Sequence, residues 1–300
     1  MREMPGFEAN DLLGWIAAVG ALRLLGEVTD GAARLSWRRH GGGWRLVALD
    51  AGEPAATAGQ AHAWIAGAAS AWDWGGFDNV NFGPGEWSTA GRTSRGLAAE
   101  LWVALGSDGC VRRDGRIEAS RLEYAQGGGW QHWLASLRGA VRRVAEGAIT
   151  AEDMRRVLWG DWRREDLGLI CRWDWRCERD HALMAADPTS REMLMRQDHA
   201  ATVLAAVGLA SLPTAATARG LVGALASQHD GETACWPVWQ VPLGIADVEA
   251  LVCSPALLRF AGAASARELA ARGVGAVMTA RRWYAGKLIV FGRGRELART

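Results

Sequence analysis

The chain has 300 residues, 49% hydrophobic and 22% charged, with a formal net charge of +1. That is enough apolar material for one large core or two ordinary ones, and it excludes global disorder. Near-neutrality excludes a generally basic, histone-like polymer binder but leaves room for a local basic surface.

The apolar run from Leu12 to Leu22 is too short to span a bilayer. It lacks a basic lead and a cleavage site, and acidic residues precede it, so a cytoplasmic location is expected, with no membrane partner. Asn10-Asp11 caps a helix predicted from about Leu12 to Gly26. Two β-rich runs then flank His40-Gly41-Gly42-Gly43 and predict a hairpin over about Ala33–Leu49. Residues 50–56 read as a loop and 57–70 as an alanine-rich helix. The glycine- and aromatic-rich stretch from Trp72 to Arg92 shows no periodicity and reads as a long loop, or a loop with short strands. Its rings either fold back into the core or stay outside to bind.

A helix is expected over Thr93–Leu105, and a short strand over Leu122–Tyr124. The triplet Gly127–Gly129 precedes an amphipathic helix with a stripe of Trp130, Trp133, Leu134, Leu137, Val141 and Val144. Thr150 caps a second short helix, with Glu152 and Asp153 favourable in its first turn. Leu167–Trp173 reads as a strand, and 198–210 and 215–227 as alanine-rich helices. Cys235–Trp239 is strand-like, and Pro237 argues against a central place in a sheet. Helices over Asp247–Cys253 and Ser265–Arg272 lead to a hairpin with arms Val277–Tyr284 and Lys287–Phe291, turning at Ala285-Gly286. The sum is an α+β protein with antiparallel hairpins near both termini. Two lobes, 1–147 and 148–300, describe it, as does a single domain with long insertions.

Motifs for catalysis are missing. No Walker loop, GxGxxG, HExxH or GxSxG occurs. The glycine triplets lack the flanks of a phosphate cradle and read as turns. Five irregularly spaced cysteines are not a disulfide framework, and Cys171 and Cys177 stand too far apart for an ordinary zinc knuckle. No cofactor and no metal are expected. The best acidic cluster is Asp174, Glu178, Asp180, His181 and Asp187. With a divalent metal it would make a nuclease. The plainer reading is an ion-paired network with Arg172, Arg176 and Arg179 around a tryptophan-rich core.

Basic pairs recur instead: Arg38-Arg39, Arg112-Arg113, Arg142-Arg143, Arg155-Arg156, Arg163-Arg164 and Arg281-Arg282. Lys287, Arg293, Arg295 and Arg299 follow, and 17 tryptophans are interleaved with them. Arginine neutralises phosphates and aromatic faces stack on bases, although any single pair reads equally as a solvated face. The candidate nucleic-acid contacts are Arg281, Arg282, Lys287, Arg293 and Arg295, and then Arg142, Arg143, Arg155 and Arg156. Arginine in place of lysine is weak evidence, because composition bias alone produces it.

The opening NDLLGWIAAVGALRLLG resembles the first helix of some subunits of bacterial CRISPR effector complexes. CRWDWRCERDHALMAADPTS resembles a segment of an accessory protein of type I-G (formerly I-U) systems, on Arg172, Trp173, Asp174, Asp187 and Pro188. Trp175 stands where that pattern has proline, and Asp180-His181 departs from its Asp-Arg order. LAAVGLASLP, WPVWQVPL and ARRWYAGKLIVFGRGRE are similar in order and spacing. The resemblance implies a large-subunit-like or accessory, non-catalytic component of an RNA-guided antiviral ribonucleoprotein. Its partners would be guide RNA and/or target DNA and neighbouring subunits. A scaffold that binds protein alone, and the metal-dependent nuclease, are the alternatives.

Overall fold

Leu12–Val28 is apolar around nearly its whole circumference, and such a helix has to be enclosed. In the computed structural model it forms α1 (Leu12–Val28), with Leu12, Trp15, Ile16, Leu22 and Leu25 all buried. The structure describes residues 1–123, 132–167, 171–176, 196–218, 220–223, 225, 233–260, 262–285 and 288–299. Among them the helices that follow are α2 (Pro54–Ala68), α3 (Pro84–Thr93), α4 (Leu97–Leu105), α5 (Trp133–Ala145), α6 (Ala151–Trp159), α7 (His199–Leu209), α8 (Ile245–Val252), α9 (Pro255–Leu258) and α10 (Ala263–Ala271).

The main partner of α1 is α7, every residue of which is buried. The two cross at Gly20 and Gly208. A methyl group on Gly208 would sit 2.9 Å from the Gly20 amide nitrogen and run into the Ile16 carbonyl. One on Gly20 would run into the Leu204 carbonyl. Backbone-to-backbone approach of this kind needs glycine on both sides. One continuous cluster of buried apolar side chains draws on residues before and after position 147.

Two antiparallel sheets flank the helices. The first has the order β1-β3-β2, from β1 (Arg2–Met4), β2 (Arg34–His40) and β3 (Gly43–Leu49). The small two-stranded pairings are β4 (Gly106–Val111) with β5 (Ile117–Ala119), β6 (Asp166–Leu167) with β7 (Arg196–Gln197), and β8 (Thr214–Thr217) with β9 (Gly220–Gly223). The second sheet holds β10 (Thr233–Trp239), β11 (Val274–Ala285), β12 (Leu288–Phe291) and β13 (Arg295–Arg299). Long β11 pairs with β10 and β13 along its first part and with β12 along its second. Pro237, opposite Val277, lies on the outer strand β10, where a missing N–H leaves no gap in the ladder.

Buried tryptophans pin these layers together. The indole N–H of Trp15 donates to the Pro237 carbonyl at 2.7 Å, that of Trp236 to Ala9 at 2.8 Å, and that of Trp239 to Leu35 at 2.8 Å. Each ring is a large apolar body whose polar tip has found a distant carbonyl.

The fold class is α+β, with the terminal hairpins as expected. The Thr150 cap of α6 is also as expected: its hydroxyl accepts from the Asp153 amide at 3.2 Å, and the Asp153 carboxylate accepts from the Thr150 amide at 2.9 Å. Three expectations are corrected. Residues 215–227 do not make a helix over their described part. Gly220, at φ +110°, turns β8 into β9, and β8 packs against β4. Residues 72–92 are not one loop. Short 3-10 turns at Ala69–Trp72 and Trp74–Gly76 lead to α3, and Trp72, Trp74 and Phe82 are buried. Of the expected Leu167–Trp173 strand, Leu167 belongs to β6, residues 168–170 lie outside the described residues, and Arg172–Trp173 lies in a turn. The polar 107–120 region holds the β4–β5 hairpin, which its composition concealed.

Candidate nucleic-acid interface

Eight of the nine basic residues singled out by sequence lie among the described residues, and they divide by burial. Arg156, on α6, has only 14% of its side chain exposed and grips Asp198 with two guanidinium nitrogens, at 2.5 and 3.3 Å. Asp198 also caps α7 through the Ala201 amide at 3.2 Å and accepts from the Arg163 amide at 3.0 Å. Arg143 places Nη1 3.2 Å from His199 Nδ1. These two arginines lock α5 and α6 onto the start of α7.

Arg282 is buried and donates Nη2 to the Glu123 carbonyl oxygen at 2.5 Å. Arg281, its neighbour on β11, is exposed, because successive strand residues face opposite ways. The pair therefore does not act as one surface unit. Burial pushes the Glu123 carboxyl up to about 7, against the opposing charge of Arg282.

Arg142 and Arg155 are exposed, each with an acidic partner. Arg142 meets Asp73 at 3.3 Å, and Arg155 meets Glu152 through Nε at 2.6 Å and Nη2 at 2.5 Å. Exposed pairs of this type are weak and can be exchanged for another anion.

The remaining exposed arginines come together at the C-terminal sheet. The Arg281 carbonyl accepts from the Gly292 amide at 2.9 Å, which brings the exposed Arg293 beside the end of β11. Arg295 and Arg299 are exposed on β13. Arg39, from the N-terminal hairpin, reaches across to Glu296 at 2.8 and 3.0 Å, and Arg299 Nε holds the same carboxylate at 2.5 Å. The Arg39 guanidinium also lies 4.5 Å from the centre of the Trp44 ring. Arg38 stands directly opposite Arg45 across β2 and β3, a repulsive arrangement unless an anion lies over it. Lys287 lies outside the described residues.

The CRWDW segment abuts this surface. The Trp175 ring has Arg176 at 4.6 Å and Arg293 at 5.1 Å from its centre. Beneath it, Arg176 donates to Asp174 at 3.2 Å, Asp11 at 3.4 Å and Glu8 at 2.8 Å, while Arg164 Nε donates to Asp174 at 3.3 Å. Asp11 and Asp174 are fully withdrawn from water. Burial, then the adjacent Asp174 carboxylate, pushes Asp11 well above the usual carboxylate range, while Arg176 and Arg164 pull it down. Asp11 occupies the N-cap position of α1 but makes no side-chain cap bond, because its carboxylate faces these arginines instead.

That geometry bears on the acidic cluster. Asp174 is tied to two arginines, and the described residues contain no group of three or more His, Cys, Asp or Glu side chains that could hold a metal ion. Glu178, Arg179, Asp180, His181 and Asp187 lie outside the described residues. So does Cys177. No helix among the described residues is long and apolar enough to cross a membrane.

The idea of loop aromatics stacking on bases is corrected for Trp72, Trp74 and Phe82. Trp72 donates to the Ala206 carbonyl at 3.2 Å, and Phe82 sits edge-on between Phe77 and Trp102. Sequence reasoning did not place Arg39 or Trp175 at the candidate surface. The Arg38-Arg39 pair was visible in the sequence, but its joining to β13 needed the tertiary fold. No protein-family model matches the chain, and no curated protein is significantly similar to it.

Proposed function

We propose that this chain is a non-catalytic binding subunit of an RNA-guided antiviral complex, holding the backbone of guide RNA or target DNA with exposed arginines. The observation that carries the proposal is the meeting of Arg39 with Arg299 around Glu296, beside exposed Arg281, Arg293 and Arg295. Arginine forks suit phosphate, and at the margin the Trp175 ring holds two of them, those of Arg176 and Arg293, by cation–π contact. The resemblance of the CRWDW segment to a type I-G accessory protein, and of the first helix to that of some CRISPR effector subunits, supports the choice of complex.

The test is fluorescence anisotropy with labelled single-stranded RNA and DNA over a salt series, with the chain alone and with co-expressed neighbouring subunits. Binding should weaken with salt, with a slope near −0.7 per phosphate contacted on a single strand. The triple variant Arg281→Glu, Arg293→Glu, Arg295→Glu should lose at least about tenfold in affinity and lower that slope. Salt-independent binding, or none in either setting, overturns the proposal.

A further inference from the structure

A second surface is built differently. Between α10 and β13 lies a groove of about 760 Å³. Its floor is made of small side chains, Ala263, Ala266 and Ala270, and its far wall is Leu297, which is 49% exposed. Arg267 and Arg299 stand on its rim.

Leu297 lies at a break in strand register. The β11–β13 register passes from Val277 opposite Ala298 to Met278 opposite Glu296, which leaves Leu297 opposite no residue. Leu297 shares the exposed face of β13 with Arg295 and Arg299, an apolar side chain between two charged ones. A bulge with Arg295 and Arg299 on either side also guards this strand against addition of another strand. An occupant therefore has to present side chains rather than main chain. An alanine-lined helix face admits close approach of a second helix, as small residues do wherever helices pack tightly.

The rim decides the charge of that occupant. Arg267 has no ion-pair partner among the described residues, and neither has Arg295. The nearby carboxylates are already engaged: Glu268 holds Arg272 at 2.8 Å, and Glu296 holds Arg39 and Arg299. The exposed excess is positive around an apolar floor.

We infer that this groove docks an acidic amphipathic helix of a partner protein, its apolar stripe against Ala266, Ala270 and Leu297 and its carboxylates against Arg267 and Arg299. The groove borders the candidate nucleic-acid surface and shares Arg299 with it, but its own features are the apolar lining and Arg267, and separate probes test it. The mode is that of a helix laid in a hydrophobic groove, with anchors at helical spacing.

Three dye-labelled synthetic peptides of about 18 residues, long enough for five turns, test it on the full chain by anisotropy. One carries leucines at helical spacing flanked by glutamates. The second has the same composition without the spacing, and the third has lysine for glutamate. The first should saturate at one per chain with a Kd below about 100 μM, and the other two should bind at least about tenfold more weakly. Leu297→Ser and Arg267→Glu, both at exposed positions and checked for folding by circular dichroism, should each weaken the first peptide severalfold. Equal binding of all three peptides, indifference to both variants, or no saturable binding overturns the inference. So does tighter binding of an extended peptide of alternating valine and glutamate. Sedimentation of the chain alone is the last arm: a dimer abolished by Leu297→Ser would seat a second copy in the groove and overturn it too.

Discussion

Replacing Gly208 by alanine tests the central packing, because two effects of opposite sign compete there. Helix propensity alone makes Gly→Ala favourable by at most about 1 kcal/mol, the helix-interior value, and Gly208 lies in the last turn of α7. At Gly208 the added methyl meets the Ile16 carbonyl and lies 2.9 Å from the Gly20 nitrogen. Those are backbone atoms of α1 and cannot rotate aside, so α1 and α7 must separate. Overpacking a tight core costs about 1–3 kcal/mol, and here the cost falls at the upper end because separation loosens buried residues along both helices. The expected net effect of Gly208→Ala is a loss of about 2 kcal/mol after the propensity gain is subtracted. Gly26→Ala is the control, since nothing lies within 4 Å of a methyl there, and it should gain up to about 1 kcal/mol. Urea unfolding followed by tryptophan fluorescence and far-ultraviolet circular dichroism reads both. A raised midpoint for Gly208→Ala, like that expected for Gly26→Ala, refutes the backbone contact.

Other consequences follow from the buried charges. Glu123, raised to about 7 from an ordinary 4.5, keeps a proton in the folded state that the unfolded chain has lost. Its stabilising contribution is therefore fully present below about pH 4.5 and is lost as pH rises through about 7. Glu123→Gln should flatten that part of the stability profile and exceed the wild type above pH 7 by up to roughly 3 kcal/mol, read by thermal melts from pH 5 to 8. An unchanged profile would contradict the burial argument. Arg176→Ala strips one of two arginine partners from Asp11 and Asp174 at once, and because Arg164 remains beside both it should cost about 1.5–3 kcal/mol, the scale of lost hydrogen bonds to charged groups. Arg156→Ala should cost about 3–5 kcal/mol through the two-pronged hold on Asp198, whereas Arg155→Ala, which breaks an exposed pair, should move the unfolding midpoint by less than about 1 kcal/mol.

Local rules carried much of the fold. The apolar circumference of α1, the Thr150 box and the glycines of the β2–β3 turn are decided by residues close in sequence, and each was legible there. So was the α+β class. The region 215–227 was not, because alanine's helix preference is small beside a glycine at φ +110° and a neighbouring strand. The Trp72–Arg92 region concealed α3 because polarity and glycine mask a helix whose support comes from β4 and α4.

The candidate surface divides along the same line. Sequence alone determined that arginine pairs occur near a C-terminal hairpin and on α5 and α6, and that Asp174 lies among arginines. Only the tertiary structure decided which arginines meet solvent. It buried Arg282 and Arg156 against partners on distant segments and brought Arg39 to Glu296, 257 positions away. Exposure is a property of what packs against a side chain. For a charged residue the packing partner is chosen by the whole fold, because each charge taken from water needs a counter-charge or a carbonyl wherever the chain brings one.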